Sequence, residues 1–357
     1  MSVVNHTPFP ALAFRQYNLA GNLNGVVVVQ GTFYLSRGGP LLPAREQVPL
    51  RTQDEYEGDP HGTSCVGQTA LVPFKPGTDV TFIGDTYAPG SIALPCWDCA
   101  LTAGPVSKTL RVHGLRWWEP VVETQTTGLI FKKTIETLAG WRLSEAEPAR
   151  SVALDWTLAA GDAWNKASAN PLDAPLNPIG RMPPPTAPES RSDRIAAPRI
   201  ESPARPLRDW RQAPPPESFG HVPPWWRQRL PLAGTFDQTW LETRHPLLPS
   251  DFDYRFWQSA HPDLIVPGWL RGGEPFELVN LLPDAERLRG RLPGIGLRMR
   301  LPRGDGFGAA DLNLDGVHFD MRPGAGHVVL TWRAGFPWPD GKGEPEIAPR
   351  SPIGELV

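Results

Sequence analysis

Val26-Val27-Val28-Val29-Gln30-Gly31-Thr32-Phe33-Tyr34-Leu35, a run that stops just before the turn Gly38-Gly39-Pro40, decides the fold class. Side chains branched at Cβ or aromatic suit a pleated, packed surface, and glycine with proline ends such a run. Working outward, residues 79–83 follow the Pro76-Gly77 turn, and residues 92–101 and 108–112 continue the pattern. Residues 121–127 and 129–134 read as a hairpin broken at Gly128. Toward the other end, residues 276–281, 296–301, 312–319 and 327–333 alternate or run apolar, with Gly324 and Gly326 in a turn between the last two. Short strands separated by turn signals predict a sandwich or barrel.

The middle differs. Residues 171–224 are crowded with proline, including Pro183-Pro184-Pro185 and Pro214-Pro215-Pro216, yet Trp210, Phe219, Trp225 and Trp226 punctuate or adjoin them. Flexible linkers are rich in glycine and serine instead. The segment therefore reads as an ordered, extended layer, with residues 190–194 as a loop tip. One short helix is expected over 251–259, with Ser250 or Asp251 accepting a first-turn N–H. The expected architecture is mainly β: two antiparallel, sandwich-like lobes bridged by an irregular proline-rich middle. The boundaries place one domain over 1–340, made of an N-terminal lobe (1–140), the middle (141–264) and a C-terminal lobe (265–340), with a frayed tail over 341–357.

Composition narrows the function classes. The 357 residues carry a formal net charge of −3, which gives no basic footprint for nucleic acid. Three cysteines, Cys65, Cys96 and Cys99, close no disulfide framework and suit a reducing compartment. No basic, then apolar leader is visible, and no apolar run approaches the ~20 residues that span a bilayer. The expectation is a cytoplasmic protein with no membrane insertion. The 43 prolines forbid long helices, and the 14 tryptophans supply large apolar area for a core or an interface.

Motifs for chemistry are incomplete. Cys96-Trp97-Asp98-Cys99 is a CxxC without a second ligand pair or a helix start, so no zinc and no redox role are expected. Asp311, Asn313, Asp315 and Gly316 spell half a calcium loop, but its twelfth position is Arg322 where a bidentate glutamate is needed. Gly62-Thr63-Ser64-Cys65-Val66 lacks the final glycine of a nucleophile elbow. His61, His221, His245 and His261 each adjoin proline or glycine, and nothing pairs them with a nucleophile along the chain. No catalytic residue, metal or cofactor is expected. The densest region, residues 223–253, mixes aromatics and arginines as binding anchors do. Trp225, Trp226, Arg227 and Arg229 are its candidate partner-binding residues. Asp237, Trp240, Arg244, Asp251 and Asp253 are expected to hold the fold, with Arg244 paired to Asp251 or Asp253.

Within that region, AGTFDQTWLETRHPLLPSDFDYRFWQSAHPD (233–263) resembles the signature of a bacterial family long carried as a domain of unknown function. Its members are type VI secretion accessory proteins encoded beside spike proteins and toxic effectors. Other blocks follow in order. Lys75-Pro76-Gly77-Thr78-Asp79-Val80 with Gly84 and Ala88-Pro89 is similar to the family's K-x-G-T-D-V block. Val112, Gly114, Arg116 and Trp117 resemble its V-x-G-x-R-x-W strand end. Asn177-Pro178-Ile179-Gly180, Glu201 between Pro198 and Pro203, Glu274, Asn280 and Thr331-Trp332-Arg333 continue the resemblance. One block departs: Ala159-Ala160-Gly161-Asp162 stands where A-[FY]-G-G is expected. The resemblance implies a non-enzymatic adaptor, or effector chaperone. Such a protein binds a cognate secreted effector, often its N-terminal or PAAR-like region, and helps mount it on the VgrG spike. Lys75, Asp79, Arg116, Trp117 and Glu274 are then structural motif residues. Two rivals stand beside it: a hydrolase-type enzyme with its site between the lobes, and a structural spike component, for which no β-helix repeat is visible.

Overall fold

A computed structural model describes residues 2–127, 133–163, 167–185, 193–303, 306–338 and 342–350. The valine run lies in strand Leu23–Tyr34, whose residues 25–33 are all buried. A strand buried along its length must pair the backbone N–H and C=O groups of both its edges. Its partners are Ala11–Tyr17 on one side and His327–Pro337 on the other, both antiparallel. Beyond His327–Pro337 the sheet continues through Asn313–Asp320, Gly77–Ile83 and Ile265–Pro267. Asn313–Asp320 runs parallel to Gly77–Ile83, against the all-antiparallel expectation.

A second sheet is ordered Ile200–Glu201, Val106–His113, Cys96–Ala103, Pro275–Leu282, Ala285–Arg291. A third joins Val4–Asn5, Glu346–Pro349, Leu297–Arg303 and Gly306–Asp311. The chain is mainly β, as its patterning predicts. Both principal sheets draw strands from each end of the sequence, so boundaries at 140 and 264 do not coincide with sheet boundaries. One core runs through both: Phe319 of the first sheet and Phe276 of the second have ring centroids 5.3 Å apart. Each such ring stabilises the fold by roughly 1.5–3 kcal/mol relative to exposure.

The proline-rich middle packs on this core. Phe219 meets Phe82 edge-on at 6.3 Å, and Trp226 meets Trp156 at 5.2 Å. Asn177 Nδ2 donates to the carbonyls of Trp156 and Ala160. At the block that departs from the family pattern, Asp162 accepts from the N–H groups of Leu176 and Asn177 at 2.9 and 2.7 Å. An aspartate thus ties the loop where a glycine is expected. Gly161 is required as glycine, since a Cβ there would lie 2.6 Å from the Gly180 carbonyl carbon.

Four expectations need correction. Residues 251–259 form one 3-10 turn, Tyr254–Trp257, because Asp253 rather than Ser250 or Asp251 accepts the first N–H, from Arg255. Ser259 N–H then bonds to Asp79, which holds the chain extended. The α-helix is Gln238–Thr243, capped by Asp237. The tail is not simply frayed: Glu346–Pro349 pairs with Leu297–Arg303, and Ile347 is fully buried. Arg244 bonds the carbonyls of Leu248 and Leu19, while Asp251 holds Thr235 and Asp253 holds Arg255. The expected hairpin is longer, Trp117–Thr127 with Lys133–Leu143. Gly128 and residues 190–192 of the expected loop tip lie outside the described residues.

Candidate functional site

The first sheet carries a groove of about 380 Å3 at one end. Its floor follows the ladder: Gln16 opposite Asn24, Val26 opposite Gly335, Arg333 opposite Asn313. Gly335 leaves the floor low, because a Cβ there would meet nothing within 4 Å. The walls are aromatic. Phe74 stands edge-on to Tyr254 at 5.4 Å and to Trp269 at 6.0 Å, and Tyr17 and Leu248 complete them. Tyr17, Phe74 and Trp269 are 49%, 37% and 37% exposed, which is high for large rings in a folded chain. Trp269 is oriented by its indole N–H, which donates to the Lys75 carbonyl at 3.0 Å.

A buried polar network backs the groove. Lys75 Nζ lies 2.7 Å from Asp79 Oδ2 and 2.5 Å from Gln68 Oε1. Asp79 also accepts from Ser259 N–H at 2.8 Å. Ser259 Oγ is 2.9 Å from His221 Nδ1, and His221 lies 4.9 Å from the His318 ring, whose Nδ1 contacts Thr81 Oγ1 at 2.8 Å. Burial holds both imidazoles well below the usual histidine range, His318 at about 3. Alongside, a bulge between Leu314 and Gly316 leaves Asp315 without a ladder partner, and its carboxylate takes Arg333 Nε at 2.6 Å. Arg333 also bonds the carbonyls of Ala70 and Val72. An inner cavity of about 40 Å3 shares Lys75 and Arg333 with the groove.

This network has the residue types of a hydrolase but not the order. In a serine–histidine–acid relay the acid holds the far nitrogen of the imidazole. Here Asp79 contacts the serine, and His221 Nε2 makes no hydrogen bond to the protein. Ser259 is only 1% exposed.

A second cluster has metal-type ligands: Glu217, His261 and Asp263 bring one donor atom each within 4.8 Å of one another. Lys108 Nζ already occupies the cation position, 2.5 Å from Glu217, 2.9 Å from Asp263 and 3.4 Å from His261. Cys96 and Cys99 alternate across strand Cys96–Ala103, one exposed and one buried, so their sulfurs face opposite sides. Of the half calcium loop, Asp311 is paired to Arg298 and Arg350, and Asp315 to Arg333.

The four residues expected to bind a partner do not form one surface. Trp226 is 1% exposed and packs on Trp156. Arg229 is 5% exposed and donates to the carbonyls of Phe256 and Val222. Both are therefore core residues, drawn inward by the aromatic packing of Trp156 and the carbonyls of the turn. Trp225 is half-buried against Tyr56 and His61, and Arg227 ties Ala174 and Asp162. The fold-type residues sit as follows. Arg116 is buried against Pro198 O and Glu201. Trp117 N–H donates to Ser144, and Trp240 Nε1 donates to Leu247 O. Glu274 accepts from the N–H groups of Arg271 and Gly272. The groove aromatics Tyr17, Phe74, Tyr254 and Trp269 went unread in the sequence, although Phe74 and Trp269 each stand beside proline or glycine turns where a ring is left uncovered.

Among the described residues, no helix is long and apolar enough to cross a membrane. Residues 20–333 match the model of a family described as an uncharacterized protein conserved in bacteria, DUF2169, and the chain belongs to that family. No curated protein and no solved structure gives a match.

Proposed function

We propose, on the premise of that membership, that the protein is a non-enzymatic adaptor. In this reading it binds a cognate type VI secretion effector in the cytoplasm, through the effector's N-terminal or PAAR-like region, and assists its loading on the VgrG spike. The observation that carries the binding part is the preformed groove with three exposed aromatic walls, Tyr17, Phe74 and Trp269. Rings already held in place by their neighbours lose little entropy on binding, and large aromatics concentrate binding energy at interfaces. The secretion part of the reading rests on the resemblance of the ordered blocks around Lys75, Arg116, Asp237 and Glu274. A hydrolase is the second reading, favoured by the contact of Ser259 with His221, and weakened by the misplaced acid and the sealed serine.

The test fills the groove from its floor. Gly335→Trp adds a ring into open space without a positive φ to strain. Capture of the neighbouring effector in a pull-down is expected to fall at least roughly tenfold, equivalent to about 1.4 kcal/mol, with the melting temperature unchanged. Unaltered capture would remove the groove from the proposal. Unaltered secretion of every neighbouring effector after gene deletion would remove the adaptor role itself.

A further inference from the structure

Cys96 and His113 lie at the ends of two neighbouring strands of the second sheet and stand directly opposite each other. His113 gives its backbone N–H to Arg199 and not to Cys96. The two are therefore a non-hydrogen-bonded pair, whose Cα atoms lie only about 4.5 Å apart and whose side chains share one face. Cys96 is exposed there, whereas Cys65 and Cys99 are buried. Burial pushes both of those thiols up to about 12, which leaves them inert near neutrality. The segments that meet the pair, 94–98, 111–116, 147–149 and 199–201, all lie within the described residues.

His113 is held as a base is held. Its Nε2 lies 2.9 Å from Glu201 Oε1. Glu201 is 4% exposed and also accepts from Arg116 Nη2 and Leu207 N–H, so its carboxylate is fixed and can only accept. Nε2 therefore carries the proton, and Nδ1 of the neutral ring keeps its lone pair. This is the acid–imidazole order that the Ser259 network lacks. The surrounding charges balance. Asp98 takes both arms of Arg111 at 2.8 and 3.0 Å, Arg199 Nε donates to the His113 carbonyl, and Glu147 adjoins Gly114. The hydrogen bond to Asp98 raises the Arg111 guanidinium above its ordinary value, and charge on Cys96 and Glu201 adds to this, so a thiolate at Cys96 has a guanidinium beside it.

We propose that Cys96 is a thiolation site for low-molecular-weight disulfides, with His113 as its base. An exposed side chain turns rapidly between rotamers, and that turn swings Sγ across to the imidazole. The Cys96 S–H proton passes to His113 Nδ1. The thiolate bonds to one sulfur of the disulfide, the old S–S bond breaks, and the other half leaves as a thiolate that takes the proton from His113. The Cys96 sulfur is oxidised and the leaving sulfur reduced, so the disulfide is the only oxidant. The role comes from the cross-strand neighbour and not from the CxxC spacing. Cys99 points to the opposite face and cannot resolve the adduct, which persists until an external thiol removes it.

The test uses the full folded chain with dithio-bis-nitrobenzoate as the disulfide, and is independent of effector capture. One thiol per chain is expected to react, and none in Cys96→Ser until the protein is unfolded. In His113→Gln the rate at neutral pH should fall at least roughly tenfold. The gap should close above the ordinary thiol value of about 8.5, where sulfur ionises unaided. A histidine that only supports the fold would change the rate by the same factor at every pH, and that result overturns the proposal. So does a fast equivalent that survives in Cys96→Ser. Should His113→Gln not fold, the wild-type profile decides: a rate that climbs about tenfold per pH unit from about 6 to about 8, as an unassisted thiol does, overturns the proposal, and a flatter one supports it.

Discussion

Lys75 Nζ and Asp79 Oδ2 lie 2.7 Å apart with both side chains sealed from water, across the Pro76-Gly77-Thr78 turn that starts a central strand. The pair fixes that strand start, because Asp79 also accepts from Ser259 N–H and Lys75 Nζ also donates to Gln68 Oε1. The two segments that wall the groove, 73–75 and 254–269, are thereby tied to each other through one carboxylate.

Removing one partner strands a buried charge. Asp79→Asn and Lys75→Met are each expected to lower stability by about 3–5 kcal/mol. The double variant should lose much less than the sum, because no unpaired charge remains. Urea unfolding of the four proteins closes the cycle. Additive losses would show that the pair is not a unit.

Acid should destabilise the protein progressively. Burial lowers His318 to about 3, and burial together with Lys108 lowers His261 to about 4, from an ordinary value of 6.5. Between those values and 6.5 the unfolded chain binds more protons than the folded one, so stability falls as pH drops through that window. Glu201 adds to the loss at lower pH. Burial opposes its charge, but His113 and Arg116 outweigh this and hold it at about 2 against 4.5. Its contribution is present above 4.5 and disappears toward 2. Chemical denaturation at stepped pH is expected to show the midpoint falling from just below neutrality. In His318→Asn the fall over the histidine window should be shallower.

How far the sequence speaks follows from which forces are local. The strand around Val26 and those near Asp79, Lys108, Phe276 and His327 were legible, because β-branched runs and turn residues act over short range. The pairing of Gly77–Ile83 with Asn313–Asp320 was not, since nothing in either strand names a partner more than two hundred residues away. Asp237 caps helix Gln238–Thr243, a local signal that the sequence reading passed over in favour of a helix at 251–259. Arg244 was assigned the wrong partner because its acceptors are backbone carbonyls, Leu19 among them, which carry no residue signature. The groove was invisible for the same reason. Tyr17, Phe74, Tyr254 and Trp269 lie far apart in sequence, and an aromatic left uncovered looks, residue by residue, like one that is buried.

Trp225 and Trp226 give the sharpest contrast, since adjacent identical residues have opposite surroundings. Trp226 is enclosed by the core, edge-on to Trp156, whereas Trp225 is half-buried against Tyr56 and His61. Truncating a buried tryptophan removes its transfer energy and leaves a cavity, so Trp226→Ala is expected to lower stability by about 3–5 kcal/mol. Trp225→Ala exposes part of a shallow stack and should lower it by less than about 2 kcal/mol. The same two proteins test the groove reading from the other side. Effector capture per mole of folded protein should be close to wild type in Trp225→Ala, because its ring is not among those that line the groove. Capture lost in Trp225→Ala, with the melting temperature preserved, would move the partner surface away from Phe74 and Trp269 and onto the face formed by Tyr56, His61 and Trp225.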